Sequence, residues 1–219
     1  MMLFTFLVFI LFLIAVCLAL KNKAIFPVAF CGAFAAALVC AFRTFFLFAH
    51  RVVPFSFSEN FAFLLIRQSL LPLILLYGLF FLISRDSAEF KIEMSLPLTS
   101  AFYMVYLPYC IISSAEGLYS AFALFVKPLM YIAMLYQVWF SIKETKRWLG
   151  EKKIVYAALY ALAALVYLLV PAMVEAMYMI NTRFIFTLLC AVPYCLLPLV
   201  FYFFKEVKMK SNNVVNAIA

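Results

Sequence analysis

The chain has 219 residues, of which 70% are hydrophobic and 12% are charged. A soluble globular domain is close to half apolar, so this composition exceeds what one small core can bury and excludes an ordinary soluble fold. The net charge of +8 would favour nucleic-acid binding in a soluble protein. In a membrane protein, the enrichment of Lys and Arg in cytoplasmic loops explains the same excess. The sequence therefore predicts an integral membrane protein that contacts membrane lipids and has no nucleic-acid partner.

Seven segments are long and apolar enough for a membrane helix, which needs about 20 residues. They span residues 1–20, 24–49, 61–84, 94–113, 118–142, 154–180 and 184–204. The connections between them are short and polar, which leaves no room for a separate soluble domain. We therefore predict an all-α fold, in which residues 1–204 form one transmembrane helical domain and residues 205–219 form a short basic cytoplasmic tail.

The distribution of Lys and Arg predicts how the seven spans are oriented. Twelve of the 17 lie on the side that holds the first, third and fifth loops and the tail, namely Lys21, Lys23, Arg85, Lys91, Lys143, Lys146, Arg147, Lys152, Lys153, Lys205, Lys208 and Lys210. The other side carries Arg51 and Arg183. Because Lys and Arg are enriched in cytoplasmic loops, we predict that the N-terminus lies outside and the C-terminus in the cytoplasm. Removing one span would invert every later loop, so the uneven distribution also supports seven spans.

Several polar side chains are predicted at membrane depth, where a charged residue costs roughly 2.5–3.5 kcal/mol on insertion. Those inside the spans are Arg43, Arg67, Gln68, Lys127 and Glu175, and those at the outer edge are Glu59 and Glu116. At about 1.5 Å per residue, Arg67 and Glu175 lie about 8–9 Å from the outer ends of their spans, and Lys127 lies about 14 Å from its own. Four charges from four helices therefore share the outer half of the predicted domain.

These intramembrane charges admit three interpretations. In the first, Glu175 forms a structural ion pair with Arg67 or Lys127, while Arg43 extends to the outer headgroups. In the second, three cations and one anion leave a surplus of positive charge that lines a pocket for an anionic ligand, such as a carboxylate, a phosphate or a lipid headgroup. In the third, Glu175 and Lys127 relay protons.

Small residues at four-residue spacing predict where helices approach one another closely. The second span carries Gly32, Ala36 and Cys40 at this spacing, and the sixth span carries Ala157 and Ala161. The pattern indicates helix contact, and it fits a neighbour in the same chain as well as a partner protein.

The sequence carries no recognisable catalytic or metal-binding pattern. His50 is the single histidine, which excludes bis-histidine haem and multi-histidine zinc sites within this chain alone. The GxSxG, HExxH and P-loop motifs are missing, and the six cysteines form no CxxC pair. We therefore predict no catalytic residue, no metal and no cofactor.

Three classes of function remain open. The first is a non-catalytic membrane subunit or receptor-like module, which would bind a protein partner in a membrane complex or an anionic ligand. Its layout is similar in topology alone to that of bacterial seven-helix sensor modules, and we expect the bacterial inner membrane as its location. The second is a transporter, or its membrane subunit, for an anionic solute or lipid. It is favoured by the surplus cations and nine prolines, although four glycines are few for such a carrier. The third is a lipid-processing membrane enzyme that uses Glu175 with Arg67.

Overall fold

The computed structural model describes residues 2–20, 25–46, 56–84, 92–113, 121–180, 185–198 and 200, and the regular structure within these ranges is helical. Its α-helices are α1 (Met2–Leu20), α2 (Ile25–Phe46), α3 (Phe57–Leu64), α4 (Leu71–Ser84), α5 (Ser95–Ser113), α6 (Lys127–Gly150), α7 (Ile154–Met179) and α8 (Ile185–Pro198). A π-helical turn, Leu65–Leu70, joins α3 to α4, and a second one, Phe122–Val126, leads into α6. The predicted tail, residues 205–219, lies outside the described residues.

Five helical segments within the described ranges are long and apolar enough to cross a membrane. They are Ile25–Thr44, Phe57–Leu82, Ile92–Ile112, Phe122–Gly150 and Ile154–Met179. Two shorter apolar stretches, Phe4–Leu18 within α1 and Ile185–Pro198 of α8, lie where the first and seventh spans were predicted. The prediction of an all-α fold with helices able to cross a membrane is confirmed for the described residues, whereas the count of seven spans and their orientation stay predictions.

Helix α5 is the most enclosed element of the described bundle. Its side chains Tyr103, Tyr106 and Leu107 are almost completely buried. Helices α1 and α2 pack along α5, α6 also contacts it, and α7 packs mainly against α6. The opposite face of α2 carries Phe26 and Phe30, which are 77% and 72% exposed, as expected for a surface that faces lipid rather than water.

Helix α6 differs most from its predicted bounds, because it ends at Gly150 rather than at residue 142. The predicted fifth loop therefore begins as two further helical turns. Ion pairs from Arg147 to Glu144 and Glu151, at spacings of three and four residues, support these turns. Polar composition indicated a loop here, but a helix that extends beyond the apolar layer is equally polar.

Each π-helical turn is followed by an α-helix whose second residue is a proline. Pro72 stands in this position after Leu65–Leu70, and Pro128 after Phe122–Val126. A proline has no N–H, and its ring collides with the carbonyl four residues earlier. Widening the preceding turn to five-residue hydrogen bonds relieves that crowding, which gives a physical reason for the two π turns.

Gly32 marks the closest approach between α2 and α5. A Cβ atom built at this glycine would lie 2.2 Å from the backbone carbonyl oxygen of Leu98, so the contact leaves no room for any side chain. Ala36, one turn later on α2, is fully buried, and Cys40 is partly buried. In α7, by contrast, Ala157 is buried but Ala161 is exposed.

We expect Gly32→Ala to destabilise the protein by about 1–3 kcal/mol, because the added methyl group would force two helix backbones apart. Gly78→Ala is the matched control, since a Cβ atom at Gly78 would meet no atom within 4 Å. The free energy of unfolding in detergent micelles measures both. Equal stability of the two variants would show that α2 and α5 are farther apart at Gly32 than in this structure.

Candidate functional site

The intramembrane polar residues of α2, α6, α7 and the first π turn lie at one end of the described bundle. Arg43 lies near the C-terminal end of α2, and Arg67 and Gln68 lie in the π turn that follows α3. Lys127 begins α6, and Glu175 lies in the last turns of α7. Each of these residues belongs to a helical segment long and apolar enough to cross a membrane.

Lys127 and Glu175 form a buried ion pair between α6 and α7. The Lys127 Nζ atom donates to Oε1 of Glu175, and the two residues are 4% and 3% exposed. The second carboxylate oxygen, Oε2, is buried and has no hydrogen-bond partner among the described residues. Of the two partners proposed from the sequence for Glu175, the structure therefore places Lys127 against it and leaves Arg67 elsewhere.

A tyrosine of α5 donates a hydrogen bond to the backbone carbonyl of Arg67, because no N–H of the same helix is available to do so. Leu71 N–H donates to the carbonyl of Ile66, five residues earlier, and Pro72 has no N–H to donate. The Arg67 carbonyl therefore lacks a donor from its own helix. The Tyr106 hydroxyl donates to this carbonyl oxygen at 2.9 Å.

Two further tyrosines hold Gln68. Pro72 removes the N–H that would reach the Gln68 carbonyl in an α-helix, and the Tyr103 hydroxyl donates to that carbonyl at 2.7 Å. The Tyr131 hydroxyl of α6 donates to the Gln68 side-chain oxygen, Oε1, at 3.1 Å. Gln68 thus links the π turn to α5 and α6 and serves as a structural connection.

Arg43 turns toward α5 rather than extending along its own helix. Its Nη1 atom donates to the Tyr106 hydroxyl at 2.7 Å and to Cys110 Sγ at 3.1 Å. The guanidinium carbon lies 5.4 Å from the ring centres of both Tyr106 and Tyr109. These contacts hold the positive charge through π faces and neutral acceptors, and they supply no negative charge.

Arg67 is held even more loosely than Arg43. Its guanidinium carbon lies 5.0 Å from the ring centre of Phe63, one turn earlier. The Nε atoms of Arg67 and Arg43 are buried and have no hydrogen-bond partner among the described residues. Neither guanidinium forms an ion pair with a carboxylate in the part of the chain that the structure describes.

A cavity of about 430 Å³ opens beside these two arginines, between α2, α4 and α5. Both Arg43 and Arg67 line it, together with Tyr106. The rest of its wall is apolar and includes Val39 of α2 and Leu75 of α4. We call this cavity the arginine groove. Its volume lies within the range of roughly 300–1,000 Å³ that is usual for ligand pockets.

Glu59 and Glu116, the two residues predicted at the outer edge of the site, do not contribute to the arginine groove among the described residues. Glu59 is exposed in the first turn of α3, where a negative charge interacts favourably with the helix dipole. Glu116 lies outside the described residues. Within the described ranges, no group of three or more His, Cys, Asp and Glu side chains is placed to hold a metal ion.

Sequence reasoning missed the tyrosines, although their spacing carries a signal. Tyr103, Tyr106 and Tyr109 recur every three residues and therefore line one face of α5. Tyrosine is usual near a membrane surface but needs a hydrogen-bond partner when it is buried. Three of them on one face of an apolar helix thus indicate polar groups on the neighbouring helices.

The chain matches no protein-family model, no curated protein and no solved structure in the comparisons made with known proteins. The ion pair, the tyrosine contacts and the arginine groove are therefore the features that bear on its function.

We expect Glu175→Gln to lower the free energy of unfolding by about 3–5 kcal/mol, because Lys127 would then be a buried charge without a counter-charge. Combining Lys127→Met with Glu175→Leu should recover most of this loss, since the double variant buries no charge. Glu151→Gln is the control, because Glu151 lies at the exposed end of α6, and we expect a much smaller loss there since exposed ion pairs contribute little to stability. A double variant as unstable as Glu175→Gln would contradict the pairing.

Proposed function

We propose that this chain is a non-catalytic membrane subunit or receptor-like module that binds an anionic ligand at Arg43 and Arg67. In the proposed topology it has seven spans, an external N-terminus and a cytoplasmic C-terminus, and it resides in the bacterial inner membrane. The observation that carries the proposal is the charge balance of the described bundle. Glu175 neutralises Lys127, and the two arginines that line the groove have no carboxylate partner among the described residues.

The guanidinium groups suit an anion better than they suit a purely structural role. Arginine presents its donors in a planar fork that matches carboxylate and phosphate oxygens, and the fork is strongest where water is excluded. Arg43 uses its Nη1 atom for Tyr106 and Cys110, and the Arg67 side chain donates no hydrogen bond to the described residues, so terminal guanidinium donors remain for a ligand. Two like charges on one cavity also repel each other, and a bound anion would relieve that repulsion.

The state of Glu175 supports a non-catalytic role. A carboxylate that serves as a general base must reach the proton that it removes. Glu175 is buried and bonded to Lys127, and it does not line the arginine groove. The enzyme alternative, which pairs Glu175 with Arg67, therefore has less support than binding.

A transporter for an anionic solute or lipid is the second candidate. It is supported by the two π-helical turns, which precede Pro72 and Pro128 respectively. Single π-helical turns are frequent at functional sites, and helices bend at such turns and at prolines. Uptake of a labelled anion into vesicles that contain the purified protein would distinguish a carrier from a binding module.

For the topology, we expect opposite reporter behaviour on the two sides of the predicted spans. Alkaline phosphatase fused after residue 52 or 182 should be active, and green fluorescent protein fused after residue 151 or 211 should be fluorescent, because Lys-rich segments stay in the cytoplasm. The measurement is reporter activity in bacterial cells. Activity of the same reporter at 182 and 211 would overturn the seven-span topology.

For the ligand, we expect native mass spectrometry of gently extracted protein to show a bound anionic molecule. Arg43→Gln and Arg67→Gln should each reduce its occupancy about tenfold or more, since charge-assisted contacts are lost. Arg147→Gln is the matched control, because Arg147 is an exposed arginine at the far end of α6. Equal occupancy in all three variants would refute binding at the groove, and a stoichiometric protein without any anion would favour the subunit role alone.

A further inference from the structure

The arginine groove has a charged end and a long apolar end. Val39 and Ala35 lie one and two turns before Arg43 on α2, and all three line the cavity. On α4, Leu75 and Leu79 continue the same wall away from the π turn that holds Arg67. Because α2 ends, and α4 begins, near the arginines, both charges sit at one end of the two apolar stripes.

The apolar part of the groove is elongated along the helices. The groove extends along α2 from Arg43 to Ala35 and along α4 from Leu71 to Leu79, eight residues in each case, which at the helical rise is about 12 Å. It is therefore much longer than a phosphate or a carboxylate needs. A small soluble anion would occupy the arginine end alone and leave the apolar walls uncovered.

The groove also opens sideways, through the surface that would face lipid. Leu38, Leu71 and Leu75 line it and are 56%, 52% and 57% exposed. In a membrane such side chains contact acyl chains, so a molecule that already lies in the bilayer could enter between α2 and α4 without crossing water. In the proposed topology the stripes run from the outer half of the membrane toward its centre, which is the direction of an acyl chain.

We propose that the occupant of the arginine groove is an anionic membrane lipid, with its phosphate or carboxylate at Arg43 and Arg67 and one acyl chain along the apolar stripes. This inference rests on the proposed function and specifies the ligand class of the same site. Charge complementarity selects an anionic headgroup over a zwitterionic one. The length and lateral opening of the groove select an amphiphile over a soluble anion.

Two kinds of variant separate the headgroup from the chain. Arg67→Gln removes a headgroup contact and leaves the apolar walls in place. Ala35→Trp fills the apolar part of the groove and leaves both arginines in place. Ala161→Trp is its matched control, because Ala161 is an exposed alanine of α7 that does not line the groove.

The full chain is placed in nanodiscs of phosphatidylcholine, and the binding affinity of three probes is measured. The probes are dipalmitoyl phosphatidylglycerol, glycerol 3-phosphate and inorganic phosphate. We expect the phosphatidylglycerol to bind at least about tenfold more tightly than either soluble probe, and both Arg67→Gln and Ala35→Trp to weaken it about tenfold. Ala161→Trp should bind like the unaltered protein, and thermal unfolding should verify that each variant folds.

The outcomes distinguish this inference from the proposed function. If the soluble phosphates bind as well as the lipid and Ala35→Trp has no effect, the site takes a small anion, and the lipid assignment is overturned while anion binding stands. If Arg67→Gln and Arg43→Gln change no probe, both proposals fail. A folded Ala35→Trp variant that loses a dimer seen by native mass spectrometry, with no lipid bound in either form, would make a second copy of the chain the occupant and overturn the lipid assignment.

Discussion

The buried ion pair between Lys127 and Glu175 sets the charge balance for the rest of the described bundle. A carboxylate and an ammonium group in a low-dielectric interior need each other, because a single buried charge costs several kcal/mol in solvation. Once Glu175 is committed to Lys127, it cannot neutralise an arginine. The positive charges of Arg43 and Arg67 are then met by aromatic rings and neutral acceptors, which is the basis for the proposal that the groove binds an anion.

Pro72 links the positions of the two arginines to the hydrogen bonding of the helix backbone. Pro72 deprives the Arg67 carbonyl of a helical donor, and the Tyr106 hydroxyl replaces that donor. The same hydroxyl accepts a hydrogen bond from Arg43, so one tyrosine links the two arginine-bearing segments. A carbonyl without a donor would be costly in lipid. The tyrosine that satisfies it therefore also connects α2 to the π turn at the end of the arginine groove where both arginines lie.

The parts of the site that can be predicted from the sequence depend on local composition, and the parts that cannot depend on contacts between helices. Arg43, Arg67, Lys127 and Glu175 are visible in the sequence because a charge in an apolar run is exceptional. Their pairing does not follow from the sequence, since spacing along the chain does not tell which helices are neighbours. Each tyrosine is ordinary by itself, and its role follows from the polar groups opposite it, such as the Arg67 and Gln68 carbonyls, which only the packed structure shows.

Composition and charge distribution alone are enough to predict an all-α chain with helices able to cross a membrane, because lipid accepts few other arrangements of backbone hydrogen bonds. Local pattern was less reliable at the end of α6, where a polar helix and a polar loop share one composition. The choice of Lys127 as the partner of Glu175 and the meeting of two arginines at one groove depend on helix packing. Packing is decided by contacts such as that of Gly32 with the Leu98 backbone, which no single segment contains.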